Sequence, residues 1–160
     1  MISFQITSLK GFMAGMLTSD LFDDFLLEEA TIETLNTFSM DGHINREFFS
    51  AEEPYPYDFR AFDQVKGLFF DLIKGKRTPL SFKFVLTYKP EKCEELFADK
   101  DVDFGFIKDL VLCVKFDGTF ASVTTGTSYN TFVMDKTADR IWDEYVRVFL
   151  FEQGIHYEEM

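Results

Sequence analysis

Three cations crowd one short segment of the chain. Lys74, Lys76 and Arg77 lie within four residues, directly after an apolar helical stripe that ends at Ile73. Clustered Lys and Arg side chains hold small anions such as a phosphate or a carboxylate group. Cations at the end of a helix also complement the helix dipole, which is a purely structural role. The sequence is consistent with both interpretations.

A hydroxyl-rich segment offers a second half for an anion site. Residues 124–128 read Thr-Thr-Gly-Thr-Ser, and the glycine lets the backbone approach a ligand closely. The same composition is typical of an exposed strand face. No catalytic base or nucleophile stands beside these residues, so catalytic residues are left unassigned. The candidate ligand-binding residues are Lys74, Lys76, Arg77, Thr125, Gly126, Thr127, Ser128 and Lys136.

Residues 74–79, KGKRTP, superficially match a phosphate-binding loop. The first glycine of that motif would fall at Phe70, and Arg77 stands where Ser or Thr is required. The segment also follows a predicted helix, whereas a phosphate-binding loop precedes one. We therefore exclude a phosphate-binding loop of this type.

Metal-binding patterns are equally incomplete. The series Asp99, Asp101 and Asp103 begins like a calcium loop, but Phe104 and Leu110 replace the required Gly and Glu. A solvated loop explains these acids better than a calcium site. His43 and His156 have no partner at metal-ligand spacing. The sequence therefore predicts no metal and no cofactor.

The charge balance limits the kind of partner. Sixteen basic against 28 acidic residues give a net charge of −12, which argues against direct binding to nucleic acid or to an anionic membrane. Residues 11–45 hold seven acids and no Lys or Arg. This segment predicts a solvated acidic face, with docking of a basic protein or mimicry of nucleic acid as the sharper alternatives.

The cysteines and the N-terminal segment favour a cytoplasmic protein. Cys93 and Cys113 do not form a CxxC pair and are typical of reduced, structural cysteines. The opening residues lack the basic and apolar regions of a signal peptide. No apolar run approaches the 18 residues of a membrane span.

The apolar periodicity predicts one α+β domain over residues 1–160. Alternating residues indicate strands at 2–6, 80–88 and 110–116, whereas helical stripes run over 9–17, 62–73, 90–97 and 138–149. Residues 25–40 indicate one irregular strand. Two Asp-Gly pairs, at 41–42 and 117–118, predict tight hairpins. This pattern predicts an antiparallel sheet with helices on one face.

The two Asp-Gly pairs suggest an internal duplication. They lie 76 residues apart, and each precedes a helix whose apolar stripe has the same offset. A duplicated β-β-α unit is one interpretation, and coincidence is the other.

Aromatic residues outside the helices favour self-association. The pattern Tyr55-x-Tyr57-x-Phe59 in a proline-rich loop needs cover, either from the sheet or from a second subunit. A homodimer is the prediction that follows.

Several short motifs together resemble a family of uncharacterised Firmicutes proteins, a domain of unknown function. The resemblance covers most of the chain and implies a bacterial cytoplasmic protein, but it contributes no catalytic residue. The matching residues are Asn36-Thr37-Phe38, Asp41-Gly42, Lys74-Gly75-Lys76, Thr78-Pro79-Leu80, Thr125-Gly126-Thr127-Ser128, Phe132, Asp135-Lys136 and Trp142-Asp143.

Two functional hypotheses follow. The first is a non-enzymatic binding or interaction protein that presents an acidic face and has a second copy or a basic protein as its partner. The alternative is a small protein, enzymatic or not, that binds an anionic ligand through the Lys/Arg patch and the Thr/Ser/Gly segment. The absence of catalytic signatures favours a non-enzymatic role.

Overall fold

Eight strands form one antiparallel sheet in the part of the chain that the computed structural model describes, residues 1–48 and 54–160. The strand order is β3-β2-β5-β6-β7-β1-β8, and β4 pairs with the beginning of β2. The strands are β1 (Ser3–Ile6), β2 (Phe25–Glu33), β3 (Thr37–Asp41), β4 (Arg60–Ala61), β5 (Ser81–Tyr88), β6 (Ile107–Phe116), β7 (Ala121–Tyr129) and β8 (Tyr157–Glu159). The helices are α1 (Leu9–Thr18), α2 (Phe62–Ile73), α3 (Pro90–Phe97) and α4 (Thr137–Glu152).

The main core lies between one face of the sheet and the helices. Alternate residues of the central strands, such as Phe84 and Leu112, are fully buried there, as strand geometry requires. They meet Phe12 of α1, Phe69 of α2 and Trp142 of α4 in a single apolar cluster. The predicted α+β class, with helices packed on an antiparallel sheet, is confirmed.

The opposite face of the sheet carries a much smaller cluster. Leu26, Phe59 and Ala61 are buried there and Tyr57 packs against them. Arg46 fixes the aromatic loop around Tyr55 and Tyr57, because its guanidinium donates hydrogen bonds to the carbonyl oxygens of Tyr55 (2.6 Å) and Tyr57 (2.9 Å). The aromatic loop is thus covered by its own chain.

The hairpin predicted at Asp117-Gly118 is confirmed. It joins β6 to β7, and Gly118 has a positive φ of 97°, a conformation that favours glycine. The carboxylate of Asp117 accepts hydrogen bonds from the backbone N–H groups of Thr119 (2.8 Å) and Phe120 (2.7 Å).

The hairpin predicted at Asp41-Gly42 is wrong. The turn between β2 and β3 lies at residues 34–36, where the N–H of Thr34 donates to the carbonyl of Asn36 (2.9 Å). Gly42 has a different role. A β-carbon at this position would stand 1.8 Å from the carbonyl oxygen of Leu27, beside the irregular register of β2 at Leu27/Glu29. Glycine is needed here for close backbone approach.

The duplicated β-β-α unit therefore fails as well. In the described residues, α2 follows a short 3-10 helix (Arg46–Phe48) and the two-residue β4, whereas α4 follows the nine-residue β7. The two helical stripes are not equivalent either. Val148, which the offset of 76 residues matches to the half-buried Leu72, is 42% exposed.

Candidate functional site

The cluster of cations lies in the connection between α2 and β5. We call residues 74–77 the basic connection. Lys74 follows the last residue of α2, and Gly75 has a φ of +134°, which turns the chain away from the helix. All four residues are exposed. Lys74 forms an ion pair with Asp71 (3.0 Å), and its ammonium lies 5.8 Å from the centre of the Phe70 ring.

The hydroxyl-rich residues lie on β7, toward the other end of the sheet. Thr125 is only 2% exposed: its hydroxyl accepts a hydrogen bond from the N–H of Ile2 (2.9 Å) and donates one to Asp143. Gly126 pairs with Val111 in the ladder, Thr127 pairs with Leu110 and Ser128 pairs with Asp109. These residues build the sheet and bind the first strand.

The structure does not bring the two predicted halves together. On β6, Phe116 lies beside the basic connection and Asp109 pairs with Ser128. Phe116 and Asp109 are seven residues apart, which corresponds to about 23 Å along the strand. Lys136 precedes α4, whose Asp139 accepts a hydrogen bond from Tyr129 at the far end of β7 (3.0 Å). A single small anion cannot contact both halves, which corrects the combined site.

The basic connection borders an apolar groove between α1 and α2. The groove has a volume of about 380 Å³, at the lower end of the range for small-molecule sites. Its walls are mostly apolar, with Lys10 and Lys74 as the cations among them. The lining residues are Leu9, Lys10, Met13, Ala14, Leu17, Thr18, Phe70, Ile73, Lys74, Gly75, Thr78, Pro79, Phe82 and Phe116.

A second cavity shares a wall with the apolar groove. It has a volume of about 450 Å³, and Lys76 and Arg77 line it together with the turn residues Thr34 and Leu35. Both cavities contact residues Ile73–Gly75 and Thr78–Pro79. The basic connection therefore stands between them and is accessible from both.

Three cations at this end lack an anionic partner. Within residues 1–48 and 54–160, Lys10, Lys76 and Arg77 form no ion pair, as is also true of Lys108 and Lys136 at the opposite end. In a chain with a net charge of −12, this end presents cations that remain available to an anion.

Two features of this site escaped the sequence analysis. Lys10 and Phe70 both line the groove, but only the packing of α1 against α2 brings them together. The sequence contains one signal, since Phe70 lies off the predicted core-facing stripe and one turn before Lys74. In the structure Phe70 is 38% exposed. An exposed aromatic next to cations indicates a binding surface.

The opposite end of the sheet holds a smaller, acidic cavity. It has a volume of about 190 Å³. Its apolar wall includes Phe97 and Phe104, whose rings stack with 6.2 Å between centres. We call it the acidic cavity, because three of its lining residues are acids: Leu26, Asp58, Phe59, Tyr88, Pro90, Cys93, Glu94, Phe97, Phe104, Ile107, Lys108 and Asp109.

Burial perturbs the titrating groups of the acidic cavity. Desolvation raises the pKa of the Asp109 carboxyl, with Lys108 opposing and Asp58 reinforcing the shift. Desolvation also raises the pKa of the Cys93 thiol to about 12. Cys93 is thus a protonated thiol at neutral pH and a poor nucleophile. It donates to the carbonyl of Tyr88 at 3.7 Å, consistent with a structural role.

The acids of residues 11–45 are partly neutralised within the fold. Asp23 pairs with Lys66 (2.6 Å), Glu29 with Lys83 (3.4 Å) and Asp41 with His43 (2.6 Å). Hydrogen bonds from His43, first from its backbone and then from its ring, lower the pKa of Asp41. Burial, together with Asp109 and Glu29, raises the pKa of Glu28. These acids therefore do not form a uniform solvated surface.

The described residues do not gather a metal site. No group of three or more His, Cys, Asp or Glu side chains is placed to hold a metal ion in that part of the chain. The acids of the failed calcium motif have local partners: Asp99 pairs with Lys100 (2.9 Å), and Asp103 accepts from the N–H of Gly105 (3.0 Å). Among the same residues, no helix combines the length and the apolar character that a bilayer span requires.

Comparison with known proteins gives one match. A family model described as a family of unknown function (DUF5721) matches residues 15–158. No curated protein matches the chain, and no solved structure matches it. The family match agrees with the resemblance seen in the short motifs and, like it, assigns no residue a role.

Proposed function

The chain belongs to this family of unknown function, and from its own geometry we propose that it is a non-enzymatic, cytoplasmic protein that binds a small amphipathic anion. The ligand we propose is a flexible apolar chain that ends in a carboxylate, because the groove is mostly apolar and its cations are Lys10 and Lys74. The observation that carries the proposal is that the exposed basic connection borders the apolar groove: Lys74 and Gly75 line the groove, and Lys76 and Arg77 line the adjoining cavity.

The two parts of the site would contribute differently. Burial of each methylene group in the groove contributes about 0.8 kcal/mol, which is about fourfold in affinity. The cations would add charge-assisted hydrogen bonds and would select against neutral and cationic chains of the same length. Lys10 on α1 and Lys74 after α2 line the groove from its two walls and would bind the anionic group of the ligand.

Binding of three ten-carbon probes tests the proposal. Isothermal titration should show that decanoate binds, that decanol binds more weakly and that decyltrimethylammonium does not bind. Hexanoate should bind more weakly than decanoate by about fourfold for each missing methylene. Decanoate at 100 times its Kd should raise the free energy of unfolding by about 2.7 kcal/mol. Equal binding of all three ten-carbon probes would show that the cations play no part.

Charge-reversal variants distinguish the effect of the basic connection on decanoate binding from the effect of the net charge. The double variant Lys74→Glu/Arg77→Glu should weaken decanoate binding at least about tenfold, since it places one anion in the wall of the groove and a second in the adjoining cavity. The control, Lys108→Glu/Lys136→Glu, makes the same change in net charge at the opposite end of the sheet and should bind normally. If both variants lose affinity equally, the ligand is held by the overall field and not by this site.

A second candidate function is docking of a basic protein segment. A surface hollow of about 340 Å³ is lined by Glu28, Glu29, Asp41 and His43. This hollow is where the predicted acidic docking surface would lie. A decalysine peptide should bind there with an affinity that falls as salt rises. The variant Glu28→Gln/Asp41→Asn should weaken this binding more than Glu94→Gln/Asp101→Asn does, and equal losses would exclude the hollow.

A further inference from the structure

The sheet ends in two edges that differ in their protection. At one end, β8 has only three residues, two of them glutamates, and Glu159 is bound by Arg147. At the other end, β3 has five residues without a proline, a lysine or an irregular register. Proteins usually protect an edge strand by shortening or charging it. By this criterion β8 is protected, whereas β3 carries a single charge, on its last residue, Asp41.

The backbone of β3 offers a self-complementary set of hydrogen-bonding groups. The N–H of Gly42 points to β2, where it donates to the carbonyl of Glu28 (2.8 Å). Because the direction alternates along a strand, the N–H and C=O groups of Thr37, Ser39 and Asp41 point away from β2. No strand within residues 1–48 and 54–160 pairs with them. Three outward residues with Ser39 in the middle can pair with the same three in a second copy.

An apolar patch accompanies this edge. Phe38 is 38% exposed and Leu68 of α2 is 59% exposed. They line a surface groove of about 340 Å³ with Met40 and Leu72, on the side of the sheet that the helices cover. Exposed apolar patches beside an open edge mark interaction surfaces.

We propose that β3 pairs antiparallel with β3 of a second copy, around a two-fold axis at Ser39. In this register Ser39 opposes Ser39, Thr37 opposes Asp41, and Phe38 opposes Met40 of the second copy. The one acid of the strand thus faces a neutral residue, and the two apolar patches meet across the axis. This places the dimer contact on β3 itself and not on the aromatic loop, whose Phe59 pairs with His43 of the same chain just beyond the strand.

The oligomeric state tests the surface. Sedimentation equilibrium of the full chain at tens of micromolar should give a dimer. Ser39→Lys should shift it to a monomer and weaken association at least about tenfold, because two ammonium groups would oppose each other at the axis. The matched control at the other edge, Glu158→Lys, should remain dimeric. Circular dichroism verifies that both variants are folded.

Cross-linking tests the register. Ser39→Cys should form a disulfide between two copies under mild oxidation, since directly opposed residues lie at about 5.5 Å between Cα atoms. Thr37→Cys should not, because in this register its nearest identical residue is about 14 Å away along the strands. A strict monomer, a dimer that persists in Ser39→Lys, or equal cross-linking of the two cysteine variants would each overturn the proposal. A peptide from another protein that pairs with β3 while the chain stays monomeric would do so as well.

Discussion

The two ends of the sheet place charge and apolar surface in opposite ways. At the end with the basic connection, the groove between α1 and α2 is apolar inside, and its cations stand at the mouth in contact with water. In the acidic cavity at the other end, the Asp109 carboxyl is half-buried among aromatic side chains. A charge at the mouth keeps its hydration until a ligand arrives, whereas a charge inside pays for desolvation in the empty protein.

This difference explains why we assign ligand binding to the basic end. An anion that enters the apolar groove gains both apolar burial and new ion pairs. The acidic cavity is half the volume, and its main titrating groups respond to burial by shifting their pKa values. We therefore propose ligand binding at the basic end and local packing at the acidic end. Three substitutions test this difference between the two ends.

The largest effect is expected from Gly42→Ala, near the acidic end. The new methyl group would stand 1.8 Å from the carbonyl oxygen and 2.7 Å from the carbonyl carbon of Leu27, so the backbone of β2 or β3 must move. We expect the free energy of unfolding to fall by about 3 kcal/mol. Urea denaturation followed by the fluorescence of Trp142, the only tryptophan and fully buried, measures this loss.

The control is a glycine without neighbours. Gly67 lies inside α2, and a β-carbon there would meet nothing within 4 Å. Gly67→Ala should therefore raise the free energy of unfolding by about 0.5–1 kcal/mol. If both alanine variants behaved alike, the close approach at Gly42 would not be what makes glycine necessary.

An intermediate effect is expected from Phe70→Ala at the basic end. Phe70 lines the apolar groove and lies beneath the ammonium of Lys74, so its loss should weaken decanoate binding about tenfold. Phe104→Ala is a matched control, because Phe104 has a similar exposure (41% against 38%) and lines the acidic cavity. Isothermal titration of both variants compares the two ends directly. Equal losses of affinity would remove the functional contrast between them.

The sequence predicted those elements whose signals are local. The bounds predicted for α3, 90–97, are those observed, since Pro90 occupies the first helical position and Phe97 ends the apolar pattern. The Asp117-Gly118 turn was equally predictable, because it contains both the glycine and the capping aspartate.

The turn at residues 34–36 could not be predicted in the same way. It contains Leu35, which is 97% exposed, and neither glycine nor proline. The hydrophobic pattern therefore continues through these residues, and the nearest strong turn signal in the sequence is the glycine at position 42.

The candidate site shows the same division between local and tertiary information. Lys74, Lys76 and Arg77 were found because they are adjacent in the chain. The groove neighbours of Lys74, Lys10 and Met13, come from a helix about 60 residues earlier and depend on the contact between α1 and α2, whereas Lys76 and Arg77 lie beside the turn residues Thr34 and Leu35. The hydroxyl-rich segment was joined to the cations by composition alone. The register of β6 against β7 separates them.

The smallest effect is expected from Asp109→Asn, and its sign depends on pH. The pKa of Asp109 is raised above its ordinary value of 3.8, mainly by burial, so the folded protein holds this proton more tightly than the unfolded chain does. As pH rises from 3.8 through the raised pKa, the unfolded chain loses the proton first and the free energy of unfolding falls. Asparagine removes this cost. The variant should be more stable than the parent at pH 7, with a difference that disappears below pH 3.8.

Urea denaturation at several pH values, followed by the fluorescence of Trp142, measures this difference. Asp101→Asn, at an exposed position of the same charge, should change little at any pH. A loss of stability at pH 7 in Asp109→Asn would mean that the carboxylate has a favourable partner inside the acidic cavity. The acidic end would then hold its charge for a purpose, as the basic end does, and the contrast drawn from desolvation would no longer separate a binding end from a packing end.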